Sequence, residues 1–371
     1  MRYQKVGLQV FDRSKATPGY TLISRLRGCG AYLLGLDGKI VHEWPLPFPP
    51  GDLIQLLPNG NLLVALDPEE EEPFKGEVNS RFKGGKGPPL RGGRGGLMQE
   101  YGWDGKLIWE YKNLEQHHDV RRLPNGNTLY IGWEIMPKEA VKRVRGGIPN
   151  TEHNGNIYGD YLHEVTPEGK VTWEWHAHLD MEIEKYPICP VCNKNEFAHA
   201  NTCFPMDDGN VLVSFRRINL IAIIDYQTKK FKWERRDDSW GHQHDCQILK
   251  NGNILVFANG IHWSTGQAAS RVVEFEPSTG NTVWEYQGSP PFTFFSPHIS
   301  GMQRLSSGNT LICEGQWGRV FEVTKENKIV WEFISPFFDP APGGGEANMM
   351  FRAYRYSENS PEIRGRVSTV F

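Results

Sequence analysis

The sequence lacks the features that mark membrane, nucleic-acid-binding and disulfide-stapled proteins. No apolar run approaches the ~18 residues that a membrane-spanning helix needs. Lys and Arg (41) nearly balance Asp and Glu (44), and a net charge of -3 predicts neither a nucleic-acid partner nor an anionic membrane partner. Six cysteines scattered over 371 residues do not form the dense pattern of a disulfide framework.

The N-terminal segment also lacks the pattern of an export signal. Residues 1–12 contain no charged stretch followed by an apolar core. Together with the scattered cysteines, this favours a reducing environment. We therefore expect a cytoplasmic protein that binds neither membrane nor nucleic acid.

Turns and aromatic strands are abundant instead, in two alternating phrases. The first is a turn followed by a strand that ends near Trp-Glu, as in DGKLIWEY, EGKVTWEW, KKFKWER, GNTVWEY and NKIVWEF, with DGKIVHEW as an earlier relative. The second places Gly-Asn before an apolar strand, at Gly60, Gly126, Gly209, Gly252 and Gly308. Such short turns between β-branched and aromatic runs are strong hairpin signals.

These phrases predict an all-β fold, a six-bladed β-propeller. Each pair of phrases indicates about four short strands. The repeat glycines lie 66, 83, 43 and 56 residues apart, and periods near ~40–50 residues with four strands per unit are typical of propeller blades. A β-sandwich or two stacked β domains are weaker alternatives, because neither has a reason to repeat at blade length.

Five full units are visible, and we expect the sixth blade to combine both ends of the chain. GAYLLGLDGKIVHEW near the N-terminus and MMFRAYRY near the C-terminus supply its halves, a mixed closure that leaves no free sheet edge. Residues 1–371 then form a single domain.

Residues 83–96, rich in Gly, Pro and cations, are predicted to be a loop between blades. It is either a solvated loop or a flap that brings cations to an anionic substrate.

Polar residues stand in register with the repeat. The set that precedes a repeat glycine by eight or ten positions comprises Asp52, His118 and His244 at eight, and His199, His242 and His298 at ten. Offsets of equal parity point to the same side of an extended strand. We therefore expect these side chains at one mouth of the central channel, in a shared active or binding site. His117, adjacent to His118, is a further candidate.

A pair of arginines follows the apolar strand after Gly209. Arg216 and Arg217 are adjacent, so on a strand only one of them can face the channel. A planar guanidinium beside histidines suits sulfate, phosphate or carboxylate. The alternative is an exposed arginine at a strand end.

Cys189 and Cys192 form one Cys-x-x-Cys pair, with His176 and His178 upstream. These four residues can be drawn as a zinc site, but their order and spacing match no familiar finger. Ordinary loop cysteines are the preferred interpretation. A dithiol redox site ranks last, because no thioredoxin-like pattern is nearby.

Taken in order, the phrases resemble the arylsulfotransferase superfamily, which includes the PAPS-independent bacterial aryl-sulfate sulfotransferases. The resemblance runs almost end to end, from KATPGYTLIS through HHDVRRLPNGNTLY, EFAHANTCFPMDDGNVLVSFR and HQHDCQILKNGNILVFANG to FRAYRY. Members of that family are six-bladed propellers with the active site in the central channel, which agrees with the repeat analysis.

The resemblance implies a ping-pong transfer of a sulfuryl group from an aryl sulfate to a phenol. It implies His244 as the catalytic histidine, His118 and His199 as supporting histidines, and Arg216 as the sulfate-binding arginine. No cofactor is expected, and the expected partner is a small anionic aromatic molecule. The chemistry is physically sound, because neutral imidazole is a competent nucleophile and cationic donors stabilise the charge on the transferring group.

Two other classes of function stay open. The first is a metal-dependent hydrolase or lyase, in which a divalent transition metal such as zinc, manganese, iron or copper is held by His118, His199, His244 and His298. The second is a non-catalytic propeller that binds a partner on one face. The oligomeric state is left open.

Overall fold

The computed structural model describes residues 5–68, 88–90, 92–262, 268–341 and 344–367. Six antiparallel sheets form a six-bladed β-propeller, which confirms the predicted fold class. Within these residues, no helix combines the length and the apolar character that crossing a bilayer requires.

Blades 1 to 4 are each built from four strands in chain order, with one short inserted strand interrupting blade 2, and the first strands of neighbouring blades pack together around the axis. Their bounds are Pro50–Leu56, Leu62–Leu66, Leu97–Tyr101 and Leu107–Lys112 in blade 1; Gln116–Arg122, Thr128–Ile135, Tyr158–Val165 and Val171–His176 in blade 2; Ala200–Pro205, Val211–Phe215, Leu220–Ile224 and Phe231–Arg236 in blade 3; and His244–Ile248, Ile254–Ala258, Arg271–Phe275 and Thr282–Gln287 in blade 4.

The two ends of the chain complete blades 5 and 6. The strands of blade 5 are Gly301–Arg304, Thr310–Glu314, Arg319–Val323 and Ile329–Ile334, with Gly7–Phe11 added as a fifth, outer strand; those of blade 6 are Tyr354–Tyr356, Tyr20–Ser24, Gly30–Leu34 and Ile40–Pro45. The predicted mixed closure is therefore confirmed. The extra outer strand was not predicted, because its sequence, GLQVF, carries neither repeat phrase.

Insertions account for the long intervals between repeat glycines. Those associated with blade 2 are the α-helices Lys138–Arg143 and Ala177–Asp180, the 3-10 helix Ile183–Lys185, and the strands Gly146–Ile148, Ile188–Asn193 and Glu196–Phe197. The shorter connections elsewhere are the 3-10 helices Arg216–Ile218, Asp238–Trp240, Pro291–Thr293 and Gly315–Trp317 and the paired strands Asp339–Pro340 and Glu346–Ala347.

Repeat glycines form the hairpins between the first and second strands. Gly60, Gly126, Gly209, Gly252 and Gly308 all have left-handed φ angles between +83° and +88°. A side chain is strained in this conformation, so each Gly-Asn phrase marks a turn that a larger residue would disfavour.

Tryptophans join each blade to the next. In five blades the Trp of the Trp-Glu phrase donates its indole N–H to a backbone carbonyl of the following blade, at 2.8–3.1 Å: Trp109 to Pro167, Trp173 to Tyr226, Trp233 to Pro277, Trp284 to Lys325 and Trp331 to Leu36. In blade 6, His42 stands at this position of the phrase, and Trp44 makes the equivalent bond to Gly102 at 3.1 Å. The hydrogen bonds thus run right round the ring.

At the axis, Arg352 joins three blades. It is 1% exposed, and its Nη1 lies 3.6 Å from a carboxylate oxygen of Asp119 and 3.7 Å from one of Asp245. Its Nη2 donates to the Asn201 carbonyl at 2.7 Å and to the Thr202 hydroxyl at 3.0 Å. The residue therefore ties the C-terminal segment to blades 2, 3 and 4 at once.

Arg352→Met should lower the free energy of unfolding by about 3–5 kcal/mol, because it removes the cation that faces the buried Asp245 carboxylate, while Asp119 keeps its ion pair with Arg121. Denaturant unfolding followed by tryptophan fluorescence measures the loss. The exposed Arg364→Met is the control. Equal stability of the two variants would contradict this role.

Candidate active site

Three of the predicted histidines come together where blades 2, 3 and 4 meet the axis. The ring centroids of His118 and His199 lie 4.7 Å apart. His244 is close enough to both for the charges of the three rings to interact. The side chains are 2%, 7% and 2% exposed, respectively. The structure thus groups residues that are up to 126 positions apart in sequence.

Backbone bulges, and not extended-strand parity, produce this grouping. His118 and His199 have left-handed φ angles of 56° and 63°, and Asp245, next to His244, has one of 47°. The pairing of the first strand with the second shifts register in blades 2, 3 and 4. A bulge bends the strand and re-aims a side chain. The three histidines therefore converge because of the bulges, and not because they share one side of an extended strand.

Arg216 is the arginine that faces the histidines. It lies on the 3-10 helix Arg216–Ile218, and not on a strand as expected. Within the described part of the chain, its guanidinium has neither a carboxylate partner nor a hydrogen-bond acceptor. By contrast, Arg217 donates to the Asn193 carbonyl at 2.6 Å and to the Asn195 side chain at 2.8 Å. Arg217 is therefore structural, and Arg216 is left available to an anion.

His298 and Asp52 flank this group. Burial, and then the charge of Arg216, lowers the pKa of His298 to about 4. Burial raises the pKa of the Asp52 carboxyl well above its usual range, and Asp67 raises it further. Asp52 is therefore suited to be a neutral carboxylic acid at the axis.

The tautomer of His244 is fixed by Asn259. His244 Nδ1 lies 2.9 Å from Asn259 Oδ1, while Asn259 Nδ2 donates to the carbonyls of Ser296 at 2.7 Å and Ile299 at 3.1 Å. Since the amide nitrogen is committed to two acceptors, its oxygen must accept from His244 Nδ1–H. The Nε2 atom of a neutral His244 therefore carries a lone pair.

The other two histidines follow the same pattern. His118 Nδ1 lies 2.7 Å from His117 Nδ1, and His117 Nε2 faces Asp160 at 3.4 Å. This contact is not a hydrogen bond, but the nearby carboxylate favours a proton on His117 Nε2, which leaves His117 Nδ1 to accept from His118 Nδ1–H. His199 Nδ1 is bonded to the carboxylate of Glu196. In each case a protein acceptor holds Nδ1–H, and Nε2 is left for chemistry.

Burial keeps these imidazoles neutral. It lowers the pKa of His118 and His244 well below the usual range, with the other histidines adding to the effect at His118 and Arg216 at His244. It also lowers the pKa of His199, although Glu196 opposes the shift. Neutral imidazoles with fixed tautomers are suited to nucleophilic attack and proton acceptance near pH 7.

The end of the glycine-rich segment covers the histidines. A Cβ added to Gly93 would lie 2.1 Å from His118 Cε1, and the Gly93 carbonyl accepts from the His118 N–H at 2.7 Å. Arg94 is 3.1 Å from Asp67, so its charge is paired. The other cations of the predicted flap, Lys83, Lys86 and Arg91, lie outside the described residues. Its predicted role in carrying charge to a substrate stays a prediction.

His242 does not stand beside His244 as expected. It has a left-handed φ of 66° and precedes the strand His244–Ile248, so the two residues do not share a strand face. Its Nε2 lies 3.7 Å from Cys192 Sγ. His242 therefore belongs to a different cluster.

The two histidines that could be drawn with Cys189 and Cys192 as a zinc site join a different group of residues. His176 and His178 place Nδ1 atoms 2.7 Å and 3.0 Å from the carboxylate of Glu134, away from the cysteines. Three sets of metal-ligating side chains in the described ranges converge within 4.8 Å, and the predicted channel set is not among them. That predicted set is His118, His199, His244 and His298.

Sequence analysis missed the residues that orient the histidines. Asn259, Glu196 and Asp160 carry no repeat signal, because each comes from a different part of its blade. Asp119 and Asp245 did carry one: an Asp follows the histidine seven positions before the repeat glycine, in HHD and in QHD. The Asp at this position of the repeat is the buried carboxylate that contacts Arg352.

The free energy of unfolding should fall as the pH is lowered from 6.5 towards 4. In the unfolded chain the histidines bind protons below about pH 6.5. In the folded chain the buried histidines have lowered pKa values and bind protons only at lower pH, so acid favours the unfolded state. Denaturant unfolding at a series of pH values tests this. His298→Asn should flatten the slope and the remote His153→Asn should not. An unchanged slope in His298→Asn would refute the assignment.

Comparisons with known proteins agree with this fold. The arylsulfotransferase (ASST) family model matches residues 91–336, well over half of the chain. A protein of unknown function from Bacteroides caccae shares 14% identity over 91% of this chain and 98% of its own, with a TM-score of 0.55.

Virginiamycin B lyase from Staphylococcus aureus shares 12% identity over 91% of this chain and 86% of its own, with a TM-score of 0.45. At 14% identity, the Bacteroides caccae structure bears on the fold alone. The comparison with curated proteins finds no match. On the family match, the chain belongs to the arylsulfotransferase family.

Proposed function

We propose that this protein transfers a sulfuryl group from an aryl sulfate ester to a phenolic acceptor, with His244 as the nucleophile. The observation that carries the proposal is the arrangement around His244. Asn259 holds the Nδ1–H of His244, so Nε2 bears a lone pair, and Arg216 lies close enough to lower the pKa of His244 after the effect of burial. Family membership supports the same chemistry.

In the first step, His244 Nε2 attacks the sulfur of the ester. The N–S bond forms as the S–O(aryl) bond breaks, and the phenolate leaves with the bonding electron pair. Splitting the transfer in this way replaces one difficult displacement with two easier ones. In the second step, the oxygen of the acceptor phenol attacks sulfur, the N–S bond breaks, and neutral His244 is regenerated.

Arg216 supplies the charge that this chemistry needs. The transferring group carries negative charge on its three terminal oxygens, and a planar guanidinium donates two parallel hydrogen bonds to such a group. Among the described residues no carboxylate forms an ion pair with Arg216, although the charge of Glu196 acts on it from further away, so sulfate binding breaks no ion pair within that part of the chain. A fixed donor in a water-poor site stabilises developing charge strongly.

His199 and His118 are suited to proton transfer. Glu196 holds the Nδ1–H of neutral His199, so His199 Nε2 presents a lone pair that accepts the proton of the acceptor phenol in the second step. His199 then returns this proton to solvent. His118, 4.7 Å away between ring centroids, is placed to assist this exchange.

His244→Ala should abolish turnover of a chromogenic aryl sulfate, because no other residue is proposed to carry the sulfuryl group. His118→Ala and His199→Ala should each slow turnover by about 10²–10⁴-fold, the range usual for acid–base groups. His153→Ala is the matched control. Full activity in His244→Ala would overturn the proposal.

Arg216→Lys should reduce kcat/KM for the aryl sulfate while leaving the free energy of unfolding unchanged. The substitution keeps the charge but loses the planar fork that binds two sulfate oxygens. Arg236→Lys, at an exposed position of the same blade, is the control. Equal kcat/KM values for the two variants would exclude Arg216 from sulfate binding.

A further inference from the structure

Two cysteines and two histidines converge beside the candidate active site. Cys189 and Cys192 lie on the strand Ile188–Asn193, in the insertion that follows blade 2. His242 precedes the first strand of blade 4, and His262 follows its second strand. One ligand atom from each of the four lies within 4.8 Å of all the others. We propose that this cluster binds one zinc ion through these four side chains.

The distances match the edges of a zinc tetrahedron. Cys189 Sγ lies 3.7 Å from His262 Nδ1, and Cys192 Sγ lies 3.7 Å from both His262 Nδ1 and His242 Nε2. With Zn–S near 2.3 Å and Zn–N near 2.0–2.1 Å, a tetrahedral angle separates S and N by about 3.6 Å. These three edges are therefore already at ligand spacing, and the remaining pairs of ligand atoms lie within 4.8 Å of one another.

The ligand set selects zinc. Two thiolates and two imidazoles form the tetrahedral S₂N₂ set that suits Zn²⁺, whereas magnesium and calcium prefer oxygen ligands. On binding, each thiol loses its proton to solvent as its sulfur bonds to the metal. Four protein ligands leave no open position, so the ion is structural and not the centre of the reaction proposed above.

The site joins two parts of the propeller that are far apart in sequence. Cys189 and Cys192 come from the insertion before blade 3, and His242 and His262 come from blade 4, so the metal ties these elements together across blade 3. The strand Ile188–Asn193 also packs against the 3-10 helix Arg216–Ile218. Metal binding would therefore fix one wall of the candidate active site, whatever reaction occurs there.

Metal analysis of the purified full chain tests the site. We expect about one zinc per chain in the wild type, and loss of that zinc in Cys192→Ser and in His262→Asn. The latter changes an exposed side chain, so it keeps the test valid if Cys192→Ser does not fold. Cys29→Ser, at an exposed cysteine, and His178→Asn, in the Glu134 cluster, should both retain the zinc.

Cobalt substitution supplies a second readout. Co²⁺ in this site should show thiolate-to-cobalt charge-transfer bands in the near ultraviolet and intense tetrahedral d–d bands in the visible, and both should vanish in Cys192→Ser. Zinc that remains in both ligand variants would overturn the assignment. So would a wild-type chain that is metal-free, fails to take up Co²⁺, and has an intact mass two hydrogens low from a Cys189–Cys192 disulfide.

Discussion

The guanidinium of Arg352, buried between the carboxylates of Asp119 and Asp245, fixes the axis of this propeller. Arg352, in the C-terminal segment, contacts the inner strands of blades 2, 3 and 4. It therefore ties the segment that leads into the closing strand of blade 6 to all three blades. Breaking such a buried pair is costly because it leaves charge without compensation. The ring of Trp–carbonyl hydrogen bonds then holds the outer strands of neighbouring blades together.

The same bulges that aim carboxylates at Arg352 also place the histidines. In HHD and QHD the Asp binds the axial arginine network, and the preceding His joins the candidate active site. In each phrase, the residue that anchors the axis is thus adjacent to a residue of the candidate active site. Rigid inner strands hold the reacting groups, and a nearby acceptor fixes each tautomer, an arrangement that lowers the reorganisation needed during reaction.

Repeat periodicity predicted the blades and their mixed closure because hairpin glycines and strand aromatics are local signals. The grouping of His118, His199 and His244 was also predicted, but from an extended-strand parity that the bulges do not obey. A bulge adds an extra residue to one strand and re-aims the side chains beside it, which the alternation of an extended strand does not encode. The partners of Cys189 and Cys192 were missed for a related reason, since only the folded ring brings blade 4 beside the insertion after blade 2.

The proposed transfer depends most directly on a covalent intermediate at His244. Rapid-quench kinetics with an aryl sulfate and no acceptor, followed by peptide mass analysis, tests for this intermediate. We expect a burst of one phenol per chain and a mass gain of one SO3 group on the peptide that contains His244. A burst-free time course without modified peptide, under conditions where turnover with a phenolic acceptor is measurable, would contradict it.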